Sequence, residues 1–270
     1  MLFSIAAFAA DPVPAEKMVA WEKNVADFVP VAPGEHPRLL FRKADLPGLK
    51  ARAETPEGKA ILARLRETLG GGEEMPKILN PAKESYSSDS ASSPELKQEG
   101  AYTIGHAAGF GFLYQLTGDK KYADLSRQCV EIAMKGQRDR DDRYSLIGYA
   151  DDAQLRAAPT LGIYAMAYDF CYDAWPEDFR KSFIDTLMNA NAEKGCDLKT
   201  MAIKPRHMPT SNHWGAEIGG ISLALLAING DPGVDQKFID KALPLTEKNL
   251  EKLFTQGWGD GGWFAESTGP

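Results

Sequence analysis

The sequence predicts an all-α protein assembled from antiparallel helix hairpins, and three observations carry that prediction. Beyond residue 97, apolar side chains recur at three- and four-residue spacing in one segment after another, which is the period of a helix face. These segments come in pairs joined by short turns at Thr117-Gly118-Asp119, Trp175-Pro176 and Asn229-Gly230-Asp231-Pro232. No stretch makes a convincing strand. Each hairpin must bury an apolar face on its neighbours, so a ring or arc of hairpins is the natural closure.

The elements follow in chain order. Residues 1–10 are apolar, with Ala7 and Ala9 ahead of Ala10-Asp11-Pro12, and look like the end of a secretory signal peptide without its basic leader. Export to the periplasm or out of the cell is the expectation. Residues 11–97 form an N-terminal region of helices and Pro- or Ser-rich loops. Between its prolines a helix fits at Glu16–Asp27; His36-Pro37-Arg38-Leu39-Leu40-Phe41 reads as extended, because proline bars the residue before it from helical backbone. A helix starts near Lys43 or Asp45, and another spans Pro56–Leu69, stopped by Gly70-Gly71-Gly72. A polar stretch with six serines between Ser85 and Ser93 then runs to Lys97 as a loop.

Residues 98–270 hold the hairpins. Gln98–Leu116 pairs with Lys121–Lys135, whose Tyr122, Leu125, Cys129 and Ile132 share one face. Arg156–Ala174 pairs with Glu177–Lys194. A helix following His213 pairs with Val234–Thr255, and its Ile218, Ile221, Leu225 and Ile228 make a buried face.

Composition narrows the function. A chain of 270 residues, 43% hydrophobic and 26% charged, is large enough for a sizeable core. Its net charge of −7 argues against a nucleic-acid partner, and no other segment approaches membrane-spanning length. Cys129, Cys171 and Cys196 are odd in number and lack CxxC spacing, so they read as packed thiols, with one bridge as the alternative. No spacing suggests a metal or a cofactor.

The chemistry concentrates at Ser211-Asn212-His213-Trp214, immediately before an apolar helix. Ser211 or Asn212 caps that helix, and the unpaired amides of its first turn, with the positive end of the helix dipole, welcome an anionic group. Asn212 and His213 are the candidate catalytic pair, able to hold a carboxylate and manage a proton. Arg206 and His207, in a proline-bounded loop, are candidates to line an acidic-sugar subsite. Glu217, one turn after His213, either orients that imidazole or stands on a solvated face. Tyr102 and His106 share helical spacing and either face a cleft or pair in the core; Gln98 is a further sugar contact. Trp214, Trp258 and Trp263 offer flat indole faces on which sugars stack, the alternative for Trp258 and Trp263 being that they fill the core under a tight loop. Glu266 is a supporting carboxylate. Asp151-Asp152 reads as a solvated turn.

Four stretches resemble the heparinase II/III-like polysaccharide lyases and their alginate-lyase relatives: His36-Pro37-Arg38-Leu39-Leu40-Phe41, the hairpin from Tyr114 to Asp124, Ser211-Asn212-His213-Trp214, and Asp260-Gly261-Gly262-Trp263-Phe264-Ala265-Glu266. The resemblance runs in the same order over nearly the whole chain. It implies an N-terminal (α/α) toroid with the active site in its cleft, followed by a β-sandwich, and it implies that Asn212 and His213 bind a uronate carboxylate. In the family the glycine-rich stretch runs on through Gly-Pro into a catalytic tyrosine. This sequence stops at Gly269-Pro270, so the expectation is an incomplete toroid without the β-sandwich, with little or no turnover by itself.

Such a lyase removes the C5 proton of a uronic acid and expels the oxygen on C4. The charged carboxylate must be neutralised and the enolate-like charge stabilised, by the Asn212 amide and the His213 imidazole, while a tyrosinate or histidine takes the proton. The partner is an acidic poly- or oligosaccharide. Two alternatives stand beside this reading. One is an (α/α) glycoside hydrolase using Asp152 with Asp260 or Glu266; the other is a non-catalytic carbohydrate-binding module.

Overall fold

A computed structural model describes residues 28–78, 100–140, 144–148 and 153–256. Among these the protein is all-helical, with no strand beyond two isolated bridges. The helices are α1 (Leu46–Ala53), α2 (Pro56–Thr68), α3 (Gly105–Thr117), α4 (Lys120–Met134), α5 (Ala153–Cys171), α6 (Glu177–Asn189), α7 (Leu198–Ile203), α8 (Asn212–Ile228) and α9 (Gln236–Gln256).

Local chemistry sets most boundaries. Thr55 caps α2 by accepting from the Gly58 amide at 3.1 Å. Gly118, at φ 73°, ends α3 in the left-handed conformation open to glycine, and Asp119 then caps α4 through the Lys121 amide. Asp197 caps α7, a short helix that the sequence did not suggest. The predicted second hairpin helix stops at Asn189 rather than Lys194, because Asn191 takes a left-handed φ of 63°. There its side chain bonds Gly148 N and Leu146 O and ties down a neighbouring loop.

The expected helix from Gln98 begins only at Gly105. Residues 100–104 are non-helical instead: Lys77 N donates to Gly100 O, Tyr102 N donates to Lys77 O, and Ile104 N donates to the Asp139 carboxylate at 2.7 Å. The Glu16–Asp27 helix, the serine-rich loop beyond residue 78 and Gln98 lie outside the described residues.

Three helices are apolar around most of their circumference, and each is followed by an amphipathic one. α5 packs against both α3 and α8, most extensively against α8, while α4 lies on α3 and α9 on α8. α4 buries Tyr122, Leu125 and Cys129 as expected, with Ala133 taking the place expected for the half-buried Ile132. α9 buries Ile239, Ala242, Thr246 and Asn249 at helical spacing. The expected pairing of α5 with α6 is not found as an extended packing; α6 packs on α7 and reaches the core through Phe183, whose ring stacks on Tyr168 at 5.5 Å. Each buried Leu, Ile or Phe on these faces contributes about 1.5–3 kcal/mol against leaving it in water.

The α5–α8 crossing is close enough to exclude side chains. A Cβ on Gly220 would lie 2.0 Å from Ala158 O, and one on Gly162 would lie 2.9 Å from Gly220 Cα. The three cysteines are buried free thiols, and burial pushes the Cys171 thiol up to about 12. No helix among the described residues is long and apolar enough to cross a membrane.

The His36–Phe41 segment is non-helical, and it closes one end of this assembly. Its Arg38 and Leu39 amides donate to the Asp169 carboxylate at 2.9–3.0 Å. His36 Nδ1 lies 2.7 Å from Asp169, and Nε2 lies 3.1 Å from both oxygens of Asp231. Arg38 reaches Asp231 and the Asn229 carbonyl at 2.5 Å each, while the Tyr168 hydroxyl donates to Asp231 at 2.8 Å. The carboxylate on α5 and the one in the α8–α9 turn, both fully buried, thus share one arginine and one histidine from a single short segment. Nothing in the sequence analysis paired these residues. The available signal was Asp169, a lone carboxylate in an apolar helix that needs a buried partner.

Candidate functional site

The site begins with a loop that cannot be helix. Pro205 and Pro209 hold the segment between α7 and α8 in extended and turn backbone. Ser211 then starts α8, its hydroxyl accepting from the His213 amide at 3.3 Å, so Ser211 is the cap and Asn212 the first helical residue.

One buried carboxylate folds this loop over the helix start. Glu217, fully buried on the second turn of α8, accepts from Arg206 N at 3.0 Å, His207 N at 3.2 Å and His207 Nδ1 at 3.0 Å. Three donors replace the water that the anion gave up. Helical spacing puts Glu217 one turn from His213, but its carboxylate is bonded to His207 instead. A helical Cα–Cβ bond tilts toward the N-terminus, so the carboxylate passes back over the helix start, where the loop offers three donors together.

The two imidazoles meet edge to face. The rings of His207 and His213 are 4.8 Å apart at 86°, and the His207 side chain is 16% exposed. Asn212 and His213 are half-buried, and Arg206 is exposed beside them. Thus Arg206, His207, Asn212, His213 and Glu217, all candidates from the sequence, come together at the start of one helix. The cluster presents hydrogen-bond donors and positive potential to solvent, with the negative charge of Glu217 held beneath. It suits a carboxylate ligand and a proton transfer.

Other candidates do not join it. Trp214 is 3% exposed and donates from Nε1 to Asn249 O at 3.0 Å, because position 214 faces α9 with Ile218 and Ile221; no sugar can stack on it. Tyr102 is also buried, its hydroxyl bonded to that of Tyr164, and desolvation pushes its pKa up. Its partner His106 is fully buried, with a pKa lowered to about 4 by burial. The Tyr102–His106 pair is core, and Tyr102 precedes the helix instead of sharing it. Gln98, Trp258, Trp263 and Glu266, with the hydrolase carboxylates Asp152 and Asp260, lie outside the described residues.

The C-terminal end of α9 lies beside the site. Its Leu253 is 3.9 Å from where a Cβ on Gly215 would stand, and Asn249 holds Trp214.

No protein-family model matches this sequence, and no curated protein matches it either.

Proposed function

We propose that this protein is a polysaccharide lyase that cleaves a uronic-acid-containing glycan by β-elimination, and that its helices are arranged as an (α/α) toroid acting outside the cytoplasm. One observation carries the reading: Asn212, His213, His207 and Arg206 are gathered at the first turn of α8 above the buried Glu217.

The chemistry follows from that placement. The Asn212 amide and His213 imidazole donate to the uronate carboxylate, and the amides of the first turn add partial positive charge. This offsets the carboxylate's negative charge and stabilises the enolate-like charge that builds as the C5 proton leaves. Arg206 attracts a further acidic sugar along the chain. The resemblance to heparinase II/III-like lyases points the same way.

The test is to offer alginate, heparan sulfate, chondroitin sulfate and hyaluronan to the complete product of the reading frame and to follow ultraviolet absorbance. A lyase produces an absorbing unsaturated uronate and consumes no water. A reducing end without absorbance means hydrolysis, and binding without turnover means a carbohydrate-binding module; either result replaces the lyase reading.

A further inference from the structure

We infer that His207 is the base of this site and that Glu217 is its positioning residue, an inference that rests on the lyase reading above. The protein has four histidines. His36 is held between Asp169 and Asp231, and His106 is fully buried in the core. His207 and His213 are the two at the helix start. Tyr102, Tyr164 and Tyr168 are at most 1% exposed, so none of them reaches a substrate.

Different partners divide the work between the two imidazoles. His207 donates from Nδ1 to the buried Glu217 carboxylate, which fixes its tautomer and makes Nε2 the basic nitrogen. The Glu217 carboxylate lies against the ring that takes the proton, in the place that the carboxylate of a catalytic triad has. His213 stands beside Asn212 in the first turn of α8, where the backbone amides left unpaired by the helix face the same ligand. It therefore acts as a donor to the substrate carboxylate. Moreover, Glu217 holds the His207 amide as well as its ring, so the backbone and the imidazole are oriented by one group.

In the step itself, Nε2 of His207 takes the C5 proton, and the C5–H electron pair forms the C4–C5 double bond. The C4–O bond breaks and its electrons leave on the glycosidic oxygen. The imidazolium returns its proton to that oxygen when both groups leave from one face of the sugar. When they leave from opposite faces, water supplies that proton and accepts the one on His207. No oxidant or reductant is needed.

The test uses the complete protein on whichever of the four uronans it cleaves. In His207→Ala, Glu217 keeps two backbone donors; His207→Gln also retains a side-chain donor but has no base. Both are expected to melt close to wild type and to lose about 10²- to 10⁴-fold in kcat with KM little changed. Added imidazole is expected to restore part of the His207→Ala rate in proportion to its concentration, which a structural role does not allow. Glu217→Gln is expected to lower kcat rather than raise KM, with Glu217→Asp regaining part of the loss. Wild-type kcat in both His207 variants overturns the assignment and leaves the lyase reading standing. So does a folded, inactive His207→Ala that imidazole does not rescue. A wild type that produces no unsaturated uronate from any of the four glycans fails one step earlier, and both readings fall together.

Discussion

Gly219 and Gly220 are adjacent in the same helix, and adding one methyl group to each is predicted to move stability in opposite directions. A Cβ on Gly220 would stand 2.0 Å from Ala158 O, 2.2 Å from Ala158 C and 2.6 Å from Pro159 N, all of them α5 backbone. Ordinary contacts to a Cβ begin near 3.4 Å. The α5–α8 crossing must therefore open by more than an ångström, and there is no flexible side chain to yield. Overpacking of this kind costs about 1–3 kcal/mol, and a purely backbone obstacle puts Gly220→Ala at about 3 kcal/mol or above. At about 2–4 °C of melting temperature per kcal/mol for a domain of this size, the loss is about 6–12 °C. A Cβ on Gly219 meets nothing within 4 Å. There alanine gains its helix propensity over glycine, about 0.8–1 kcal/mol, and the melt should rise by about 2–4 °C. Thermal melts followed by circular dichroism, with urea melts in parallel, measure both. If Gly220→Ala melts with wild type, or if both variants shift in the same direction, the α5–α8 packing argued here is wrong.

Three further outcomes are expected. Asn212→Ala and His213→Ala should each lower kcat by about 10²–10³-fold in the absorbance assay, the loss typical of one donor to a developing oxyanion; undiminished rates in both remove them from the site. Arg38→Ala leaves the buried Asp231 without its arginine and should cost about 3–5 kcal/mol in urea denaturation, so a change under about 1 kcal/mol would show that the clamp at that end of the molecule is not holding it. His106 has its pKa lowered from 6.5 to about 4 by burial, so the unfolded chain binds the proton more readily than the folded one between those values. Its contribution is fully present above about pH 6.5 and is lost as pH falls toward 4, on the order of 3 kcal/mol in all. Stability curves of wild type and His106→Gln should converge over that window, and parallel curves would contradict the buried neutral imidazole.

Much of this molecule was legible from local pattern. The helices following Pro56, Lys120, Glu177 and Ser211 begin within a residue or so of where capping residues and apolar periodicity place them, because both signals act within a few residues of chain. The loop cluster was legible for a similar reason: Arg206, His207, Asn212, His213 and Glu217 lie within a dozen positions, and one proline-bounded loop and one helix start bring them together. The start of α3 was not legible. Residues 100–104 carry a helix-compatible pattern but are held out of the helix by Lys77, Asp139 and Arg140, partners remote in sequence.

By itself, then, the sequence determined the all-helical class, the packed hairpins α3–α4 and α8–α9 and the neighbourhood of the candidate site, since each depends on short-range periodicity, capping and turn chemistry. Only the tertiary structure decided which acid serves which base. Glu217 is one helical turn from His213 yet bonds His207, because the carboxylate goes where most donors converge once the loop has folded back. Tertiary structure likewise sent Trp214 and Tyr102 into the core and separated Gly219 from Gly220. It also joined His36 and Arg38 to Asp169 and Asp231 across more than 130 residues of chain. Burial and long-range charge pairing depend on what a third element places opposite a residue, and spacing along one segment carries no record of that.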